Sequence, residues 1–404
     1  MKVLSLFDGM ACGALALQAV GIEIENYDAL EIDKYAIKTT SHNFPFIKHH
    51  GDVFKADFTQ FEGVDLVCGG SPCTYWSIAQ KNNRETEASG LGWELFQQYV
   101  RAIKEAKPKF FIYENNKSMS KDIRASIDKA FGFEAVLINS ALVSAQNRQR
   151  LYWVGKRNPD GTYSKVDIEQ PKDRGIILKD VLDGDTDREK ARAIIYSIGR
   201  TTEREYFIKS QGTMTFEPVC PMKNGKARCV TAGYANKGAK HILESNFSNN
   251  PHKQQWDSIA EPVRIGHIGS TAQAHRVYSC EGKARSLIAN AGGQGGKTGL
   301  YAIPVEFDGD IPTKAISGSD GKIYRVYEVK DGLITIKGKQ YEINLADGYY
   351  IIRKLTITEC KRLQTVPDSY EFPVSDTQAY KMLGNGWTVA VIAHLISSIL
   401  KNEQ

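Results

Sequence analysis

From Val3 to Gly155 the chain alternates short apolar runs with amphipathic stretches. Val3 to Phe7 precedes Ala14 to Val20, Tyr27 to Ile32 precedes Lys34 to His42, and Asp65 to Cys68 precedes Leu91 to Ile103. Lys109 to Tyr113, Met119 to Phe131, Ala135 to Ile138 and Leu151 to Gly155 continue the series. Such alternation predicts an α/β fold, a doubly wound and mostly parallel sheet with helices on both faces. Ligands in these folds bind beyond the carboxyl ends of the strands, and the chemically suggestive segments all follow such ends. Past about residue 200 the pattern changes to short strands, basic residues and glycine-rich turns, which predicts a second, smaller, irregular β-rich lobe. Helical periodicity returns at Ile357 to Leu363 and Thr388 to Leu400, with Gly384-Asn385-Gly386 as a turn before the last helix. The expected boundaries are 1–195, 196–372 and a returning segment, 373–404.

A chain of 404 residues is longer than one core usually spans, so two lobes suit it. Its 42% hydrophobic and 25% charged residues are ordinary for a globular protein. No apolar run near the roughly 18 residues of a membrane span stands out. Met1 to Phe7 is stopped by Asp8 and lacks a cleavage site, so it reads as a strand rather than a signal peptide, and a reducing, cytoplasmic setting is expected. Seven scattered cysteines read as free thiols. The spacing of Cys220 and Cys229 is too wide for a zinc pair, and no metal site is expected. The net charge of +5 permits a polyanionic partner without demanding one.

Phe7-Asp8-Gly9-Met10-Ala11-Cys12-Gly13 follows one strand and opens a helix, where small residues let a ligand approach backbone N–H groups. The next strand ends in Glu31, with Ile32 after it, a position from which a carboxylate accepts from ribose hydroxyls. Gly51-Asp52-Val53 adds an acceptor suited to an adenine amino group. Gly69-Gly70-Ser71-Pro72-Cys73 brings a cysteine to the same open edge, where a thiolate would be a nucleophile. A random cysteine is more often an inert buried thiol. The neighbouring strand, however, ends in Tyr113-Glu114-Asn115-Asn116 and supplies a potential acid. In Gln146-Asn147-Arg148-Gln149-Arg150 strand alternation directs both arginines to one side, as a solvated face or as fixed positive charge for a carbonyl oxygen.

With these segments in this order, the chain resembles the cytosine-5 DNA methyltransferases from Leu4 to His394. Phe7 to Gly13, Glu31 and Gly51-Asp52-Val53 resemble the family's cofactor motifs, Pro72-Cys73 its nucleophile, and Glu114-Asn115 its acid motif. Gln146-x-Arg148-x-Arg150 resembles the arginine motif, Arg353 through Gln364 the segment bracing the recognition lobe, and Gly384-Asn385 the closing cofactor motif. The resemblance implies a fold typical of enzymes that use S-adenosylmethionine, with Asn385 and Trp387 completing the cofactor pocket. It also implies duplex DNA as partner, with a restriction enzyme as a conceivable companion. Cys73 would then attack carbon 6 of a flipped cytosine while Glu114 protonates nitrogen 3. Arg148 would contact the carbonyl oxygen, with Arg150 beside it. Phe-Asp-Gly-Met-Ala-Cys-Gly departs from the commoner Phe-Ala-Gly-x-Gly-Gly and, with Ser71-Pro72-Cys73 and Trp387, is closer to phage and animal de novo members. Asn116 stands where the family usually has Val.

Three rival readings are weaker. Ala291-x-x-x-x-Gly296-Lys297-Thr298 is a relaxed phosphate loop, but Gly299 to Val305 reads as a strand where a helix is needed. An RNA-directed methyltransferase would carry a shorter recognition region. A silent DNA-binding relative would not need Cys73, Glu114 and Arg148 together.

Overall fold

The computed structural model describes residues 1–72, 75–76, 84–182, 215–218, 262–267, 276–279, 282–286, 300–302, 315–317, 323–336, 338–342, 347–352 and 355–402. Cys73, Cys220, Cys229, Arg353, Lys354 and the stretch 291–298 lie outside these residues.

The first lobe is built on β1 (Lys2–Leu6), β2 (Asn26–Leu30), β3 (Lys48–His49), β4 (Leu66–Gly69) and β5 (Phe110–Asn116), all parallel. Its connecting helices include α1 (Cys12–Ala19), α2 (Lys34–Asn43), α3 (Gly90–Ala106) and α4 (Lys121–Phe131). Then come β6 (Val136–Asn139), β7 (Gln146–Asn147), β8 (Gln149–Arg157) and β9 (Tyr163–Lys165). The sheet runs β3-β2-β1-β4-β5-β8-β6, with β9 on β8. Strand β8 is antiparallel to both β5 and β6, a reversal that apolar patterning alone did not reveal. The chain leaves β1 toward β2 and β3 on one side and returns to β4 and β5 on the other. The crevice at this topological switch therefore opens between the ends of β1 and β4, where such sheets bind ligands.

Two apolar layers cover the sheet. On one face Phe96, Tyr99, Tyr113, Phe131 and Trp153 cluster under α3 and α4. Burial of these rings leaves polar tips to satisfy: Tyr99 Oη donates to Ile112 O (2.7 Å), and Trp153 Nε1 to Asp128 Oδ1 (2.7 Å). The other face packs α1 with α5 (Ile357–Leu363), α6 (Asp376–Asn385) and α7 (Val389–Lys401). Helix α5 starts with a capping box, Thr356 Oγ1 accepting from Glu359 N and the Glu359 carboxylate from Thr356 N.

Leu355, Cys360, Leu363, Val366 and Tyr370 belong to the same buried cluster as Val3, Leu17 and Ile112. Asp376–Lys401 is long and apolar enough by composition to cross a membrane, a stretch the sequence reading did not single out. It is broken between α6 and α7, and Leu395, Ile396 and Ile399 pack into the core, which is how a core helix of a folded domain behaves.

The middle region is β-rich, as expected. Its strands are β10 (Thr215–Pro218), β11 (Arg264–His267), β12 (Arg276–Ser279), β13 (Ala284–Arg285), β14 (Leu300–Ala302), β15 (Ala315–Ser317), β16 (Ile323–Lys330), β17 (Leu333–Ile336), β18 (Lys339–Glu342) and β19 (Gly348–Ile352). All but β13 join one sheet, ordered β11-β12-β14-β10-β19-β16-β17-β18 with β15 beside β16. Strand β13 pairs instead with β7 of the first lobe.

Candidate active site

The turn after β1 is held in an unusual backbone conformation. Phe7, Gly9 and Ala11 have φ of 56°, 59° and 58°, the left-handed region that costs a residue bearing a Cβ roughly 1–2 kcal/mol. Hydrogen bonds hold it there. Phe7 N donates to Leu30 O (2.8 Å), Gly9 N to Glu31 Oε2 (2.8 Å), and Thr40 Oγ1 to Gly9 O (3.2 Å). The other Glu31 oxygen accepts from Ile32 N and Asp33 N, both at 2.8 Å. Glu31 thus buttresses the turn while its lone pairs are only partly used.

Asp8 is the most perturbed group of the turn. Its Oδ1 accepts from Ser5 Oγ (2.6 Å) and Tyr27 Oη (2.8 Å), while Oδ2 is buried with no partner among the described residues. Burial pushes its carboxyl up to about 7, with the Ser5 and Tyr27 hydroxyls opposing and the Glu31 charge adding to the rise. Gly13 makes room for this network, because a Cβ there would stand 2.8 Å from Tyr27 Oη. Cys12, buried at the start of α1, has its thiol pushed up to about 12 by burial and is no nucleophile.

The remaining cofactor candidates divide. Ile32 is 75% exposed, Val53 is buried, and Asp52 Oδ1 accepts from Phe54 N (3.0 Å). The return of the chain closes the turn from the other side. Tyr370 Oη donates to Met10 O (2.8 Å), and a Cβ on Gly386 would lie 3.2 Å from Met10 Sδ and 3.3 Å from Cys12 Sγ. Asn385, the last residue of α6, is exposed.

Beside this turn, Glu114 near the end of β5 is only 8% exposed. Arg150 Nε stands 2.9 Å from its Oε1, and Trp387 Nε1 donates to Oε2 at 3.0 Å. Both carboxylate oxygens thus have a donor. The segment leading to Cys73 is tied to the same strand. Asn115 Nδ2 donates to Ser71 O (3.2 Å), and the Ser71 and Tyr113 hydroxyls share a bond of 2.6 Å. A Cβ on Gly70 would meet Glu114 O at 2.7 Å and Glu114 Oε2 at 2.9 Å, so only glycine permits this approach. Asn116 bonds to Asn115 and accepts from Ser118 Oγ (2.7 Å), leaving the Glu114 seat alone.

The two arginines take different partners, and Arg148 itself sits in the break between β7 and β8. Its buried guanidinium donates to Gly384 O (3.2 Å) and Gly386 O (2.9 Å), and Nη1 approaches Ser286 Oγ at 3.4 Å. Arg150, inside β8, is the arginine that meets Glu114. The sequence reading also gave Trp387 to the cofactor alone and missed its bond to Glu114. Their separation of 273 residues hides such a pairing from any local pattern.

Comparison with known proteins agrees with this architecture. A family model described as C-5 cytosine-specific DNA methylase matches residues 1–401. The orphan methyltransferase M.SPRI of Bacillus phage SPR is 26% identical, covering 99% of this chain and 97% of its own. The type II methyltransferase M.HhaI of Haemophilus parahaemolyticus is 24% identical over 99% and 94%. Among solved structures, a Spodoptera frugiperda DNMT2 variant shares the fold at TM-score 0.53 and 16% identity, covering 99% of both chains. The Entamoeba histolytica methyltransferase EhMeth does so at 0.54 and 13%, covering 100% and 99%. Matched over nearly its whole length, the chain belongs to the C-5 cytosine-specific DNA methylase family.

Proposed function

We propose that this protein methylates carbon 5 of a cytosine turned out of duplex DNA, through a transient bond from Cys73 to carbon 6. DNA cytosine-5 methyl transfer is the activity of the family. The observation that carries the finer reading is the seat of Glu114, clasped by Arg150 and Trp387 beside the Ser71-Pro72 segment that leads to Cys73.

Carbon 5 of cytosine is a poor nucleophile until conjugation is broken. The Cys73 thiolate forms a bond to carbon 6 while ring nitrogen 3 takes a proton from Glu114, and carbon 5 becomes an enamine carbon. General-acid help of this kind is worth about 10² to 10⁴ in rate. After methylation, the proton on carbon 5 leaves, the carbon–sulfur bond breaks, and nitrogen 3 returns its proton to Glu114. Arg150 donates to the ring carbonyl oxygen adjacent to nitrogen 3 and steadies the charge that develops there. That role passes to it from Arg148, whose guanidinium is turned to the Gly384 and Gly386 carbonyls.

The turn after β1 fits S-adenosylmethionine, which supplies an electrophilic methyl group when bound. Asp8 Oδ2 is an orphaned buried atom awaiting a polar partner, and the left-handed turn leaves backbone groups open to a ligand. Glu31 accepts from the ribose hydroxyls, Asp52 from the adenine amino group, and Ile32 and Val53 offer apolar surface to the base. Phe7, Gly9, Met10, Cys12, Gly13, Asn385 and Trp387 line or support the same pocket. Extruding a cytosine costs a few kcal/mol, which phosphate contacts by the second lobe offset. A restriction endonuclease reading the same site is the companion expected if the enzyme serves a restriction pair.

Bisulfite sequencing of mixed-sequence duplex DNA incubated with the protein and S-adenosylmethionine tests this directly. Protected cytosines in one sequence context are expected. Uniform conversion of the DNA, with methylation of transfer RNA in a parallel reaction, would move the substrate to RNA.

A further inference from the structure

Residues 282–286 lie in sequence between β12 and β14, neighbours in the second sheet, yet in space they leave that sheet for the first lobe. Ala284 pairs with Gln146 and Arg285 with Asn147 in parallel register. Ala284 N donates to Ala145 O (2.5 Å), Leu178 N donates to Gly282 O (2.9 Å), and Ala284 is part of the first lobe's core. Between them Lys283 is fully buried, its Nζ donating to Ser144 O (3.0 Å) and to Ile176 O.

A buried ammonium is an expensive way to fill space that an unbranched apolar side chain could occupy. Burial lowers the Lys283 pKa, and the charges of Asp173 and Asp180 oppose that shift. One of its two acceptors, Ser144, lies just before the arginine motif, and the other, Ile176, lies beyond β9. Ser144 also donates to Leu363 O (2.5 Å) through its hydroxyl. From there bonds continue inward. Gln146 Nε2 donates to Leu363 O (3.1 Å), Gln364 Nε2 to Gly386 O (3.2 Å), and Arg148 to Gly384 O and Gly386 O. The next residue, Trp387, bonds to Glu114.

We infer that Lys283 is a positioning residue that seats β13 of the second lobe on the arginine motif, so that Arg148 holds the Gly384–Gly386 carbonyls and, through them, Trp387 on Glu114. This rests on the reading of Glu114 as the acid. Lys283 touches neither substrate nor cofactor, and it acts on the rate through the path Arg148, Gly386, Trp387.

The test is a kinetic cycle on the full-length enzyme with Lys283→Met, Trp387→Phe and the double variant, beside Glu114→Gln. Lys283→Met keeps an unbranched side chain, one heavy atom shorter, and removes the ammonium. It is expected to lower kcat about 10-fold, with KM for DNA, Kd for S-adenosylmethionine and Tm little changed. In the Trp387→Phe background the same change is expected to cost less than about 2-fold, because both act through one contact. An unchanged kcat, equal losses in both backgrounds, or a loss that merely follows a fall in Tm would overturn the inference. Should Glu114→Gln retain full activity, the reading of the acid fails instead. A dead Glu114→Gln with an unaffected Lys283→Met removes only the role of Lys283.

Discussion

Asp8 joins cofactor recognition to protein stability. Its carboxyl rises from the ordinary 3.8 to about 7 because burial disfavours its charge. Below pH 3.8 folded and unfolded chains are both protonated, and the contribution to stability is complete. Between 3.8 and 7 the unfolded chain releases a proton that the folded one keeps, so stability falls as pH rises. Above about 7 the contribution is gone, a change of about 4 kcal/mol at most. The Tm of the ligand-free protein should therefore drop between about pH 4 and pH 7, and Asp8→Asn should flatten that drop. An identical slope in the variant would contradict the assignment. Sequence spacing singles out Asp8, Glu31 and Glu114, because each follows or ends a strand. It did not reveal their partners. Tyr27 on Asp8 and Trp387 on Glu114 depend on tertiary approach. Nor does spacing show that Arg148 reaches the Gly384 and Gly386 carbonyls while Arg150 meets Glu114.

Pairing between β4 and β5 sets the distance between the Gly70-Ser71-Pro72 segment and the strand that carries Glu114. Gly69 pairs with Tyr113, so Gly70 lies against Glu114, and the calculated Cβ approach of 2.7 Å is to backbone rather than to a movable side chain. Gly70→Ala must push these strands apart or displace Glu114. A displacement near 1 Å at a reacting centre costs about 10²-fold in rate. We therefore expect kcat to fall by about that factor while circular dichroism still reports the folded sheet. Normal turnover by Gly70→Ala would show that this approach is dispensable. At this scale the sequence was most informative. The run Ile357 to Leu363 forms helix α5 over the same residues, whereas Gly384 and Asn385, expected in a turn, close α6, and the break before α7 falls at Gly386 to Thr388. The antiparallel placement of β8 between β5 and β6 was not legible, since a run of apolar residues carries no mark of strand direction.

At the scale of the whole molecule, the first lobe is closed by residues from the far end of the chain. Helix α7 packs into the core beside α1, Tyr370 caps the turn at Met10, and Trp387 reaches Glu114. The second lobe's β13 meets the first lobe beside the arginine motif, so the two lobes share a boundary at residues 146–148 and 282–286. The account predicts that all of these parts serve one covalent step at Cys73. Duplex DNA carrying 5-fluorocytosine in the methylated sequence tests that step, because fluorine cannot leave carbon 5 as a proton does and the adduct persists. With S-adenosylmethionine present, a stable protein–DNA complex should form, peptide mapping should find the DNA on Cys73, and Cys73→Ser should abolish it. An enzyme that methylates ordinary DNA yet forms no adduct, or forms it on another residue, would contradict the central claim.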